Sequence, residues 1–135
     1  MIKKVIFIVG LPGSGKTTYA KSIMDDTYFL IDDPIRDKTL FKQAIKANKP
    51  NVIICDPLLI GKEPERIQNI ITKQFNSDID FEWIYFENDQ RGAWANHLKR
   101  NDVDPRHINE NYHQYLSEIY SIPHDATSIP VYKSN

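Results

Sequence analysis

Residues 10–17 read Gly-Leu-Pro-Gly-Ser-Gly-Lys-Thr and satisfy the pattern G-x-x-x-x-G-K-[ST]. Glycines at these positions let the backbone curl until successive N–H groups face one cluster of phosphate oxygens, an approach that side chains would block. A lysine at the end of such a loop reaches the β- and γ-phosphates, and the hydroxyl after it holds Mg²⁺. Gly10, Pro12, Gly13, Ser14, Gly15, Lys16, Thr17 and Thr18 are therefore the candidate nucleotide-binding residues, with ATP and Mg²⁺ as the implied ligands. The competing account is a strand–turn–helix connection that binds nothing. The apolar run VIFIV before the loop and YAKSIM after it supply the strand-to-helix setting that gives the motif its meaning. The motif alone does not separate a kinase from a switch GTPase or a mechanical ATPase.

Three further groups follow strand-like segments. Asp56, after NVIIC, has the position of a carboxylate that orients Mg²⁺ or its waters, although Asp-Pro also simply ends strands. Asp33 and Arg36, in DDPIR after TYFLI, could take the proton from an acceptor hydroxyl and grip an adjacent anion; Asp33 before Pro34 is equally a helix cap. Between the two, Asp33 is preferred to Asp32. In HLKRNDVDPRH, Lys99, Arg100 and Arg106 flank a polar break where a lid could bring a cation over a triphosphate, with Arg100 the first choice. Cations at a helix C-terminus are also favoured by the helix dipole.

The elements that must position these groups are legible in the periodicity. Strands are expected over 2–9, 27–31, 51–55, 80–86 and 126–132, and helices over 15–25, 35–48, 64–76, 89–101 and 106–120. Alternating strands and helices, with near-continuous apolar strands, predict a mostly parallel five-stranded sheet covered by helices on both faces. Ligands in that architecture sit beyond the carboxyl ends of the strands, where the candidate residues fall.

With 135 residues, 41% hydrophobic and 26% charged, the chain fits one domain over 1–135 and leaves no room for a second. Seventeen Lys and Arg against 18 Asp and Glu, a formal net charge of −1, provide no global field for long nucleic acid, so only a few phosphates would be gripped. The start MIKKVIFIVG lacks a signal-peptide cleavage site and reads as a core strand. No stretch approaches the roughly 20 apolar residues of a membrane span, and a lone Cys55 cannot form an internal disulfide. A cytoplasmic protein without membrane attachment is expected, its oligomeric state unspecified.

His97, His107, His113 and His124 lack zinc-site spacing, and Cys55 reads as a small buried apolar group. Tyr112, Tyr115, Leu116, Ile119 and Tyr120 read as core at helical spacing. Trp83 and Trp94 read as packing residues, with stacking on a base as the alternative.

Taken together, these residues resemble the kinase domain of bacteriophage-type polynucleotide kinases, within the wider P-loop kinase group, over nearly the whole chain. The likeness rests on GLPGSGKTTYAK, DDPIR, VIICDPLL, HLKRN, and the run from Pro105 through INENYHQYLSEIYSIP to IPVYKSN. It implies a three-layer sandwich with a short lid around 100–105, and ATP-dependent transfer of the γ-phosphate to a 5′-hydroxyl of DNA or RNA. It further implies Lys16 and Thr17 as the nucleotide-binding pair, Asp33 as general base and Arg36 as the grip on the phosphate next to the acceptor. Asp56 becomes the strand-end carboxylate and Arg100 the first lid arginine. Two departures stand out. Only NDVD separates Arg100 from Pro105, so a second lid arginine is missing or replaced by Arg106, and no phosphatase domain follows. The alternatives are a kinase for a nucleoside, sugar or other small metabolite, and a nucleotide-dependent binding protein.

Overall fold

β-branched and aromatic runs separated by amphipathic stretches fold as their periods direct. The computed structural model describes residues 2–32, 39–55, 59–61, 63–75, 78–100 and 109–133. Within them the chain runs β1 (Lys4–Val9), α1 (Lys16–Ile23), β2 (Tyr28–Asp32), α2 (Thr39–Ala47), β3 (Asn51–Cys55), α3 (Pro64–Phe75), β4 (Asp80–Phe86), α4 (Gln90–Lys99), α5 (Glu110–Ile119) and β5 (Ser128–Ile129).

The five strands form one sheet in the order β2-β3-β1-β4-β5, and every pairing is parallel. Side chains alternate across the pleat of β1. Val5, Phe7 and Val9 enter the larger core with Ala44 of α2, Ile71 of α3, Ala93 of α4 and Leu116 of α5. Ile6 and Ile8 point the other way, onto Ala20 of α1. The result is the expected α/β sandwich with helices on both faces, built on a sheet that is parallel throughout.

The order of the strands decides where a ligand can sit. After β1 the chain travels past β3 to reach β2; after β4 it travels the opposite way to β5. The connections part above the carboxyl ends of β1 and β4, leaving a crevice, and residues 10–15 occupy it.

Three expectations need correcting. The last strand, expected over 126–132, is confined to Ser128–Ile129, because Pro130 has no N–H with which to continue the ladder. α5 begins at Glu110 instead of 106, because Asn109 caps it, its side chain accepting from the Tyr112 N–H at 2.8 Å. The tyrosine stripe of that helix is only partly core: Leu116 and Tyr120 are buried, but Tyr112, Tyr115 and Ile119 are exposed. The inward line is His113, Leu116 and Tyr120, spaced i, i+3, i+7, and the exposed trio lies one position to its side. The tryptophans pack as expected. Trp83 stacks on Phe7 at 4.1 Å and donates to Gln68 Oε1 at 2.8 Å, while Trp94 lies 5.4 Å from His97 and 5.2 Å from His113, ring centre to ring centre. Among the described residues no helix is long and apolar enough to cross a membrane.

Candidate functional site: the glycine loop and its tethers

Three glycines shape the turn after β1, each for a steric reason. A Cβ on Gly10 would lie 2.5 Å from Ser14 Oγ and 3.0 Å from Phe86 Cβ. Gly13 has φ 90° and would press a Cβ to 2.1 Å from the Ala93 carbonyl of α4. Gly15, at φ 104°, is the N-cap of α1 and packs under Tyr132. The first two admit no side chain, and the last two use the left-handed region that glycine enters without penalty.

Every loop carbonyl from Gly10 to Gly15 has a hydrogen-bond donor. The Lys16 ammonium folds back across the loop and donates to Gly10 O at 2.9 Å and Leu11 O at 3.0 Å, which leaves the lysine only 8% exposed. Ser14 N also donates to Leu11 O, at 3.0 Å. His113 Nε2, from α5, lies 2.8 Å from Pro12 O, and Asn96 Nδ2, from α4, donates to Gly13 O at 2.9 Å. Tyr132 N, beyond β5, donates to Ser14 O at 2.9 Å, and Tyr19 N donates to Gly15 O at 2.9 Å. Asn96 Nδ2 also donates to the Tyr132 carbonyl, tying that last segment to α4. Carbonyl and N–H point opposite ways in a peptide unit, so the tethers at residues 12 and 14 turn the N–H groups of Gly13 and Gly15 toward the other side, while the Ser14 N–H stays with Leu11 O. Ser14 Oγ is fully buried and has no hydrogen-bond partner among the described residues. A buried orphan hydroxyl inside a ring of glycines, at the positive end of α1, suits a phosphate oxygen.

Of the sequence candidates, the structure brings together Gly10, Pro12, Gly13, Ser14, Gly15, Lys16, Thr17, Thr18 and Arg100. Arg100 follows α4 and, with Thr17, Thr18, Lys21, Lys99 and Tyr132, lines an open cavity of about 330 Å³ beside the loop. Lys21, Lys99 and Arg100 bring three cationic side chains to its rim. A smaller, mostly apolar cavity of about 250 Å³ adjoins it, with Tyr19, Phe86, Pro130 and Tyr132 in its walls. Asp33, Arg36, Asp56 and Arg106 lie outside the described residues.

Several participants went unrecognised in the sequence. Thr17 Oγ1 donates to Asp32 Oδ2 at 3.1 Å, so among the described residues Asp32 brings a carboxylate to the residue that follows Lys16. Its signal was positional: it ends β2 directly opposite Cys55, the last residue of β3. A threonine hydroxyl and a carboxylate are the hard oxygen donors Mg²⁺ takes, the remaining places going to water and phosphate. Among the described residues no three His, Cys, Asp or Glu side chains gather into a metal cluster. Lys21 was detectable as the residue one helical turn after Thr17. Asn96 and Tyr132 carry no local signal.

His113 is fully buried, and burial pushes its pKa below the ordinary 6.5, opposed by its hydrogen bond to Pro12 and reinforced by His97 and Lys16. The imidazole is therefore neutral in the fold near pH 7. Below 6.5 the unfolded chain takes up a proton that the folded chain refuses, so stability present above 6.5 is lost as pH falls through that window. Melting temperature should drop between pH 7 and pH 5, and His113→Phe should flatten the dependence; an unchanged slope would show that other groups set it.

No protein-family model matches the chain, and no curated protein does. What the fold and the loop define is thus a class, a parallel α/β sandwich with a glycine-rich loop at its switch point.

Proposed function

We propose that the protein is an ATP-dependent phosphotransferase whose acceptor is the 5′-hydroxyl of a nucleic acid, working in the cytoplasm. The observation that carries the reading is the Lys16 ammonium, held over the loop by carbonyls that it can exchange for phosphate oxygens, together with the buried Ser14 Oγ, which has no partner among the described residues. A loop whose carbonyls at Pro12, Gly13 and Ser14 are already held by other elements is prepared for anions with little reorganisation. The adjoining apolar cavity suits the base of the nucleotide, against Tyr132 and Pro130.

In the mechanism, Lys16 and N–H groups of the loop hold the β- and γ-phosphates, while Thr17 and Asp32, with Asp56 after β3, would hold Mg²⁺. Mg²⁺, when bound, would supply charge neutralisation between the β- and γ-oxygens. Asp33 takes the proton of the acceptor hydroxyl as its oxygen bonds to the γ-phosphorus. Arg100 balances the charge that develops as the bond to the β-phosphate oxygen breaks and ADP keeps that electron pair. Arg36 holds the phosphate next to the acceptor nucleotide.

The test is incubation with γ-labelled ATP, Mg²⁺ and a panel of 5′-hydroxyl oligonucleotides, nucleosides and sugars. Label on oligonucleotides is the expected result. Label confined to nucleosides or sugars would establish the competing metabolite kinase, which the near-neutral net charge of −1 favours. Oligonucleotide KM should rise modestly with salt, as expected for contact with about one to three phosphates. Asp33→Ala should abolish transfer while leaving ATP affinity nearly unchanged, and equal loss of both would remove Asp33 from the acceptor side.

A further inference from the structure

Gln90, at the start of α4, and His113, on α5, contribute to neither the cations nor the carboxylates of the site. Yet they form a relay that ends on the loop: half-buried Gln90 puts its Nε2 3.2 Å from His113 Nδ1, and the buried His113 Nε2 lies 2.8 Å from Pro12 O. A carbonyl can only accept, so Nε2 must carry the proton, and Nδ1 is left to accept from the Gln90 amide. Pro12 itself offers no N–H, so its peptide unit cannot be oriented from the amide side of that residue. Its carbonyl is the handle, and the N–H on the same peptide plane belongs to Gly13, the residue wedged against α4.

We propose that His113 is a positioning residue for the phosphate loop, fixed in its Nε2–H form by Gln90 and turning the Gly13 N–H toward bound phosphate by holding the Pro12 carbonyl. The inference rests on the nucleotide-binding reading and extends it to two side chains that touch no ligand. Full burial of His113, with the Trp94 and His97 rings tilted against it at 5.2 and 6.2 Å between centres, keeps water from substituting for the tether. The relay also joins both C-terminal helices to the loop, so their packing is communicated to the phosphate site.

Glutamine and asparagine separate the donor from mere packing. The amide nitrogen of a glutamine reaches the place of Nε2, whereas that of an asparagine reaches only the place of Nδ1. His113→Gln should therefore bind ATP nearly as the parent does, while His113→Asn and His113→Phe should each weaken binding about tenfold, the usual cost of one lost buried hydrogen bond. Inorganic tripolyphosphate should suffer the same loss, because the effect lies in the phosphate loop. Nitrogen-15 spectra of the parent should report a neutral Nε2–H imidazole near pH 7, a readout available even if a variant fails to fold. His113→Gln as weak as His113→Phe, unchanged affinity in all three variants, or an Nδ1–H ring would overturn the proposal while nucleotide binding by the parent stands. A parent that binds neither ATP nor tripolyphosphate would overturn both.

Discussion

Lys16→Met is expected to lower phosphate transfer by at least about a hundredfold, the scale on which removing a preorganised charge-stabilising donor acts. Methionine preserves the length and apolar stem of the lysine but removes the ammonium that spans Gly10 O and Leu11 O. Leu11 O keeps the Ser14 N–H, so the loop loses one carbonyl partner outright, at Gly10, for about 1–3 kcal/mol of stability. The fold should survive that loss. Calorimetric titration with ATP alongside a thermal melt separates the two effects: a folded variant that binds and transfers like the parent would remove Lys16 from the site and the phosphotransferase reading with it.

Gly13→Ala should have the largest effect on stability of any single methyl added to the loop. The added Cβ would sit 2.1 Å from a backbone carbonyl of α4, and backbone cannot swing aside as a side chain can. A positive φ adds to the cost for an L-residue, and the two together amount to about 3 kcal/mol or more. Either α4 withdraws, taking Asn96 from Gly13 O, or the loop flips and loses its N–H array. Both routes impair nucleotide binding, so the melting temperature and the ATP affinity should fall together. Gly61→Ala is the control, because its φ of 77° is also positive but among the described residues its Cβ would meet only the Ile119 side chain and carbonyl, at 3.6 and 4.0 Å. Similar losses in both variants would mean that backbone strain, and not contact with α4, governs the loop.

Alternation of strand and helix was legible because runs such as VIFIV and NVIIC can exist only inside a sheet covered on both faces. The glycine loop was legible because its chemistry is local, eight residues in fixed order. What surrounds the loop was not. His113 reaches Pro12 across 101 positions and Asn96 reaches Gly13 across 83, distances at which no periodicity points from one residue to the other. Asp32 and Asp33 are adjacent in sequence, and the register of β2 against β3 puts Asp32 at the strand end within reach of Thr17. The tyrosines of α5 misled because an aromatic stripe fixes a helical period without saying which of two neighbouring lines faces inward. His113 marked that line, and a buried histidine is easily taken for an outward one.

The tether from Tyr132 to Ser14 carries a consequence for the order in which the molecule assembles. The loop belongs to the first strand–helix unit, yet its cradle is completed only when the chain after β5 docks alongside it. A growing polypeptide thus carries the motif from the outset and gains this tether only with its last segment, through a contact far apart in sequence. Nucleotide would then select the finished molecule over partly folded ones, and its binding energy would be added to the stability of the whole sheet. Added ATP should protect the backbone amides of β5 from hydrogen exchange as strongly as those of the loop itself.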